Sequence, residues 1–420
     1  MDIFKEYRKE RSIIEFKTSK VLLCLLFIIS PLISLPFILI EIYNKKSYAL
    51  ILLALFMGFI AILFPPVYDL YRHHINFYGL DITKENLNEE IFVRPDFILP
   101  YLNIIIKNIG LQFEIIRFIL VTTSYLIIFW IFRDVIHSKP ELKKYYFRIF
   151  IILFCSAHFF LLTTGLRYME ATYLFILGIY LITFKKNKIG YLPFIISACL
   201  HFSFLAYIII FFILLRFNAR LNNKKIIVTS ILCLIIINPT FIDFFITILP
   251  LSRGLKILIR AYCIGIFGNL EDRSIIYIIA YTIEIMLIFP LILIILKLNN
   301  KKLINNSRII NLERFNIIIL AFLYGISFLF FYRFSLIFIS LGLLIYFYNF
   351  KMLSLKWLNI LIFCSCIMFV SDIYKYRREF FISQEYRLIQ PIPLILSADY
   401  DNYWVEEVIN DDGYLKTNPK

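Results

Sequence analysis

Glycine and proline are thin in this chain, 12 and 14 residues among 420, too few for a disordered or low-complexity protein. Charge is thin too, at 17%. The seven cysteines form neither a disulfide framework nor a zinc pattern: Cys24, Cys155, Cys199, Cys233, Cys364 and Cys366 lie inside apolar runs, where a thiol packs as a small hydrophobe. There is no Walker loop, no GxGxxG after a strand and no GxSxG elbow. No cytoplasmic segment is large enough for a nucleotide-sugar transferase, so ATP-driven and nucleotide-sugar chemistry are disfavoured. No internal or inverted repeat is visible, and Gly-poor runs leave GxxxG packing a minor role. The first apolar run lacks an A-x-A-like end and follows a long charged lead, so it is expected to stay as an anchor.

What the chain has instead is hydrophobic length. It is 61% hydrophobic, and apolar runs of ~17 to 25 residues recur along it, the length a helix needs to cross hydrocarbon. The expected fold class is all-α: a polytopic integral membrane protein with about twelve transmembrane or re-entrant helices. They are placed near 21–42, 48–64, 113–136, 149–164, 168–184, 190–200, 202–216, 226–249, 275–297, 315–331, 334–350 and 357–371. The net charge of +15 would suggest nucleic acid in a soluble domain. Here the basic residues gather in short connectors, so no nucleic acid is expected.

Those connectors set the sides. The stretches 137–148, 185–188, 216–225, 297–314 and 351–356 are rich in Lys or Arg and are placed in the cytoplasm. Loops 65–112 and 250–274 and the tail 372–420 then lie outside. Between KKNK and RFNARLNNKK only about 27 residues remain, so each arm reaches ~20 Å and forms a short re-entrant hairpin with His201 at its tip. Two longer hairpins carry Arg167 with Glu170, and Arg333, at their tips. The N-terminal segment 1–20 disagrees with this parity: it carries six basic residues yet counts as external, unless Pro31 and Pro36 break the first run. Residues 1–20 are thus set apart from the transmembrane domain 21–371 and the tail.

Ionisable residues at membrane depth cost ~2.5 to 3.5 kcal/mol, so they persist where they pair or line a polar cavity. Arg167 in LRYMEATY reads either as an i,i+3 ion pair with Glu170 or as an arginine for a phosphate-bearing ligand. Arg333 in FFYRFSLIF has no acidic neighbour within a helical turn, so it snorkels or binds an anion. His201 is either a packing residue or a functional one. In PPVYDLYRHHINFYG, Asp69, Arg72 and His73 would share a helical face while His74 points elsewhere. That is too few convergent ligands for a metal, so no metal site is expected. A carboxylate beside a histidine suits general base work or a sugar hydroxyl. Arg94 and Asp96 around Pro95 would line a mouth or form an ion pair. Arg253, Lys256 and Arg260 make a basic helical face suited to lipid headgroups or polyanions.

A long outer loop opening with an aspartate after the second span, then a Pro turn and an amphipathic segment, resembles the polysaccharide polymerases. These are the O-antigen polymerases (Wzy-like) and the related EpsG family of exopolysaccharide and capsule proteins. The likeness continues through LRYMEATYLFILGIYLITFKKNKIGYLPFIISACLHFSFLAYII: an arginine starting a span (Arg167), a basic inner turn (Lys185 to Lys188), and a histidine before a small hydroxyl residue (His201, Ser203). Arg333 in YRFSLIF looks like the family's late arginine. It covers roughly residues 60 to 350. Where the family often has Arg-Gln-Ala, Tyr168, Met169 and Glu170 follow Arg167, and Pro-Pro-Val-Tyr replaces the Gly-x approach to Asp69.

The resemblance implies a GT-C-like enzyme on the outer face of the bacterial inner membrane. It would be a glycosyltransferase joining polyprenyl-pyrophosphate-linked oligosaccharide units into O-antigen (lipopolysaccharide), capsule or exopolysaccharide. Arg167 and Arg333 would hold the pyrophosphate and His201 would position or activate the acceptor hydroxyl. Asp69, with Glu170 as substitute, would serve as base or sugar-orienting group. Arg72, His73, Arg94, Arg253 and Arg260 are secondary candidates. No cofactor is required, because the activated linkage holds the energy; membrane lipids and a chain-length regulator are the expected partners. The alternative is a flippase of the same lipid-linked units, which should place its charges between pseudo-symmetric halves. An acyltransferase would need a histidine-centred site that the sequence does not offer.

Overall fold

The computed structural model describes residues 20–82, 96–216, 222–237, 239–248, 285–299, 307–350 and 354–416, with a few single positions between 256 and 283. Among the described residues the chain is all-helical, with one isolated antiparallel bridge between Ile409 and Leu415. In chain order the first helices are α1 (Lys20–Ile29), α2 (Pro31–Tyr43), α3 (Ser47–Leu63), α4 (Asp69–Tyr78), α5 (Ile98–Asn108) and α6 (Phe113–Ser138). Next come α7 (Tyr146–Cys155), α8 (Phe159–Thr164), α9 (Leu166–Ile179), α10 (Tyr191–Leu200), α11 (Ser203–Arg216), α12 (Asn223–Ile236) and α13 (Pro239–Ile248). The long late helices are α14 (Ile288–Asn299), α15 (Ser307–Ile326), α16 (Phe328–Tyr348) and α17 (Leu355–Lys375). The tail adds α18 (Arg377–Phe381), α19 (Ile392–Leu396) and α20 (Asn402–Val408).

Among the described residues three helices are long and apolar enough to cross a membrane: Phe113–Ser138, Phe330–Tyr348 and Leu355–Lys375. Six shorter apolar helices, among them α1, α2, α3 and α11, accompany them. Three of the expected runs are broken, and local chemistry explains the breaks. The run 21–42 is two helices because Pro31 supplies no N–H to α1 and opens α2 instead, with Ser30 extended between them. The run 149–164 breaks at His158, which adopts a left-handed backbone (φ 49°, ψ 63°) between α7 and α8. The run 226–249 breaks before Pro239, which opens α13. Residues 1–19 and most of 249–284 lie outside the described residues, so the sidedness conflict at the N-terminus does too.

The expected short hairpin forms as α10 and α11, with His201 extended (φ −148°, ψ 109°) at the end of α10. It packs against α9 because the backbone can come close: a Cβ on Gly178 would lie 2.5 Å from the Phe194 ring and 3.0 Å from the Gly190 carbonyl. That approach brings His201 beside the N-terminal turn of α9.

At the centre, α3 packs along α6, and a fully buried Arg117 closes the C-terminal end of α3. Its guanidinium donates to the carbonyls of Phe64 and Ile62, and reaches the buried Glu114 at 3.1 Å. Helix-end carbonyls have no partners in their own helix, and a cation there complements the dipole.

The tail is a built element. Gln384 N–H and the Tyr400 hydroxyl both donate to the Leu63 carbonyl at 3.0 and 2.5 Å. His74 Nε2 meets the Tyr400 carbonyl at 3.0 Å. The C-terminal segment thus folds back over the junction between α3 and α4.

A cationic cavity and its apolar neighbour

α4 starts abruptly. Tyr68, just before it, sits at φ 60° and ψ −130°, an unusual conformation for a residue with a side chain. From there Asp69 opens the helix, where a carboxylate complements the dipole. Arg72 bonds Asp69 at 2.7 Å and His73 Nε2 lies 3.6 Å from it, so the three do share a face. His74 points the other way, into the core. Burial alone would raise the Asp69 carboxyl; the His73 ring, Arg72 and Arg167 outweigh it and hold the group well below the usual carboxylate range.

Asp69 lines a cavity of about 200 Å³ together with Arg167, His201, Arg333 and Lys375. Five tyrosines, Tyr68, Tyr168, Tyr332, Tyr376 and Tyr414, share its wall. Three long-range steps build it. Arg167 comes from the first turn of α9 and pairs with Asp96 just before α5. His201 comes from the α10–α11 hairpin, its Nδ1 2.8 Å from the Ser203 hydroxyl. Arg333 comes from α16, its guanidinium 5.3 Å from the centre of the Tyr168 ring. That ring also meets His201 edge-on, centroids 5.4 Å apart, so Tyr168 sets the spacing between the histidine and the arginine.

Arg333 has no ion-pair partner among the described residues, and the buried Arg167 Nε has no hydrogen-bond partner there. Guanidinium donors with spare capacity beside a cavity suit an anion with several oxygens. A second cavity, of about 360 Å³, is lined in part by the same helix, α16, which gives Phe334 to its wall and Arg333 to the first. Phe175, Tyr207, Phe211, Phe315 and Phe334 line it, so its wall is almost wholly apolar. Tyr207 of this wall and Phe334, beside Arg333, lie with ring centroids 5.6 Å apart.

The remaining candidates lie elsewhere. Arg167 does not pair with Glu170. Glu170 is buried and accepts the Ser124 hydroxyl of α6. The i,i+3 spacing made the pair possible, but packing of α9 on α6 gives Glu170 another partner. Arg260 bonds Asp243 at 2.8 Å and Thr247 at 3.1 Å, both on α13. Arg72 is largely exposed and His73 stands behind Asp69. Arg94 and Arg253 lie outside the described residues. Lys375 and Tyr376 were missed in the sequence: their signal is a basic-aromatic stretch, SDIYKYRREFF, which reads equally as an interfacial belt. Tyr68 and Tyr414 were missed as well, since single tyrosines in PPVYDLYR and DDGYLK carry no such signal.

A family model described as the EpsG family matches residues 68–381, a span that runs from just before Asp69 to the end of α18. Neither the curated proteins nor the solved structures give a match. The chain therefore belongs to the EpsG family of Wzy-like polysaccharide polymerases, and is a membrane protein.

Proposed function

We propose that this EpsG-family membrane protein is a glycosyltransferase. It joins polyprenyl-pyrophosphate-linked oligosaccharide units into a surface polysaccharide, at the outer face of a bacterial inner membrane. The observation that carries this reading is the pair of cavities, one cationic and one apolar, that α16 lines in part. One holds Arg167, Arg333 and Lys375 around a space with His201 and Asp69; the other is an apolar chamber beside Arg333. A lipid pyrophosphate has that division of character: a doubly charged head and a hydrocarbon tail.

In this scheme Arg167, Arg333 and Lys375 hold the pyrophosphate, and the first isoprene units enter the apolar chamber. An acceptor hydroxyl attacks the anomeric carbon of the donor sugar. The bond from that carbon to the pyrophosphate oxygen breaks, and its electron pair leaves with the lipid pyrophosphate. Fixed cations around the leaving group stabilise charge as it develops, and in a low-dielectric site that contribution is large. In the tautomer whose Nδ1–H donates to Ser203, the His201 Nε2 is left to accept the acceptor's proton. Asp69, held ionised, accepts a hydrogen bond from a sugar hydroxyl and orients it. Glu170 is turned away from this space and has no part in the scheme. The energy lies in the donor linkage, so the scheme needs no nucleotide or cofactor. A chain-length regulator would act on the outside, and a GT-C-like architecture is the arrangement to look for.

A flippase of the same units would need its charges between two related halves. Here they converge from α4, α9, the α10–α11 hairpin, α16 and α17 on one cavity, which favours a reaction centre. Deleting the gene and following the lipid-linked units decides between the two. A polymerase defect leaves single units on the outer face with no glycan ladder. Units stranded on the cytoplasmic face would instead mark a flippase and overturn this reading.

A further inference from the structure

A pyrophosphate clamp needs cations, yet five tyrosines line the polar cavity. Tyr168 is accounted for between His201 and Arg333. Three of the others gather at the Asp69 end: Tyr68 meets Tyr414 at 5.4 Å and 89°, and Tyr376 at 5.7 Å and 88°. Tyr376 is backed by Phe160, stacked at 4.8 Å and 16°. Tyr414 stands in front of the group, 52% exposed.

The chain takes trouble to put Tyr414 there. Gly413 adopts φ 83° and its carbonyl accepts the Tyr68 N–H at 2.7 Å. A Cβ at that position would come within 2.5 Å of the Tyr68 carbonyl oxygen. Asn410 closes the turn from within: its side chain accepts the Tyr414 N–H at 2.7 Å and its own N–H donates to the Tyr414 carbonyl at 2.8 Å. The unusual backbone of Tyr68 and the left-handed Gly413 thus lock together, and Asp69 follows immediately.

We propose that Tyr414, backed by Tyr68 and Tyr376 and flanked by Asp69, is a carbohydrate subsite that takes one sugar ring of the acceptor glycan. A tyrosine face covers the C–H face of a pyranose at low entropic cost, and its rim stays polar. A carboxylate beside it accepts sugar hydroxyls. The cationic end of the cavity suits the donor pyrophosphate, so the two ends divide acceptor from donor. The proposal rests on the polymerase reading, and its test separates the two.

The test uses the full chain in lipid nanodiscs and a lipid-free probe: the repeat-unit oligosaccharide released by mild acid from lipid-linked units of host cells lacking this gene. Saturation-transfer NMR and inhibition of chain growth read its binding. Wild type, Tyr414→Phe and Arg333→Ala should bind it alike, because the probe has no pyrophosphate. Tyr414→Ala should bind about tenfold more weakly, at unchanged thermal stability. In chain growth the same variant should raise the half-saturating acceptor concentration and leave the maximal rate near wild type. Equal binding by Tyr414→Ala and wild type, or no binding by wild type, overturns the subsite. A wild-type protein that binds the oligosaccharide yet extends no lipid-linked unit overturns the polymerase reading and leaves the subsite standing.

Discussion

Arginine at membrane depth is the residue-scale fact around which this protein is arranged. Arg333 follows three consecutive aromatic residues on an otherwise apolar helix, and Arg167 starts another. Each is expensive to keep there without a partner or a cavity. Replacing either by alanine should slow chain growth by about 10²- to 10³-fold at matched membrane levels, the scale of losing one stabiliser of developing charge. Arg333→Lys should retain part of the rate, since a point charge replaces a planar fork; glycan ladders and single-time-point rates check both. Glu170→Gln should stay near wild type in rate, because its carboxyl faces Ser124 and not the cavity. The arginines and His201 were legible in the sequence because an ionisable group in an apolar run is conspicuous. Asp96 as the partner of Arg167 was not: loop and helix meet across 71 positions, and local spacing pointed to Glu170 instead.

At the scale of elements, two devices hold the site's floor. Arg117 ties the end of α3 to α6, with Glu114 buried beside it. Arg117→Ala strands that carboxylate and two helix-end carbonyls, and should cost about 3 to 5 kcal/mol, read as a lowered unfolding midpoint in detergent. The second device is the tail on α4, which lies in the segment read as external and carries two groups of opposite pH behaviour. Burial, reinforced by Arg117, pushes His74 down to about 3, below its ordinary 6.5. Its contribution to tail docking is full above 6.5 and is lost as pH falls towards 3. Burial pushes Glu385 up to about 8, above its ordinary 4.5. Its contribution is full below 4.5 and is lost as pH rises through 8. Between 4.5 and 6.5 the two slopes oppose each other in the native chain. In His74→Gln, protease protection of the tail should fall as pH rises from 4.5 to 8; in Glu385→Gln it should fall as pH drops below 6.5. Flat profiles in both variants would contradict this account of the docking. Little of the device was visible beforehand, since the aromatic-acidic tail carries no sign that it folds back onto Leu63, more than 300 positions away.

For the whole molecule, composition was enough to place the chain among helical membrane proteins, because apolar runs of this length have few other uses. Run lengths were a weaker guide to helices. Pro31, His158 and Pro239 each interrupt what reads as one span, and a proline or a left-handed residue acts on backbone geometry that hydropathy does not register. The α10–α11 hairpin turns at an extended His201 and delivers it to the cavity. The result is one cavity assembled from six separate parts of the chain, with an apolar chamber lined in part by the same helix α16. The most direct test of the central claim uses the purified full-length protein in nanodiscs with lipid-pyrophosphate-linked repeat units from host cells lacking the gene. The account predicts that wild-type protein lengthens the glycan and releases one lipid pyrophosphate for each unit joined, while Arg333→Ala does neither to a measurable extent. Release without lengthening, or equal activity of the two proteins, would contradict it.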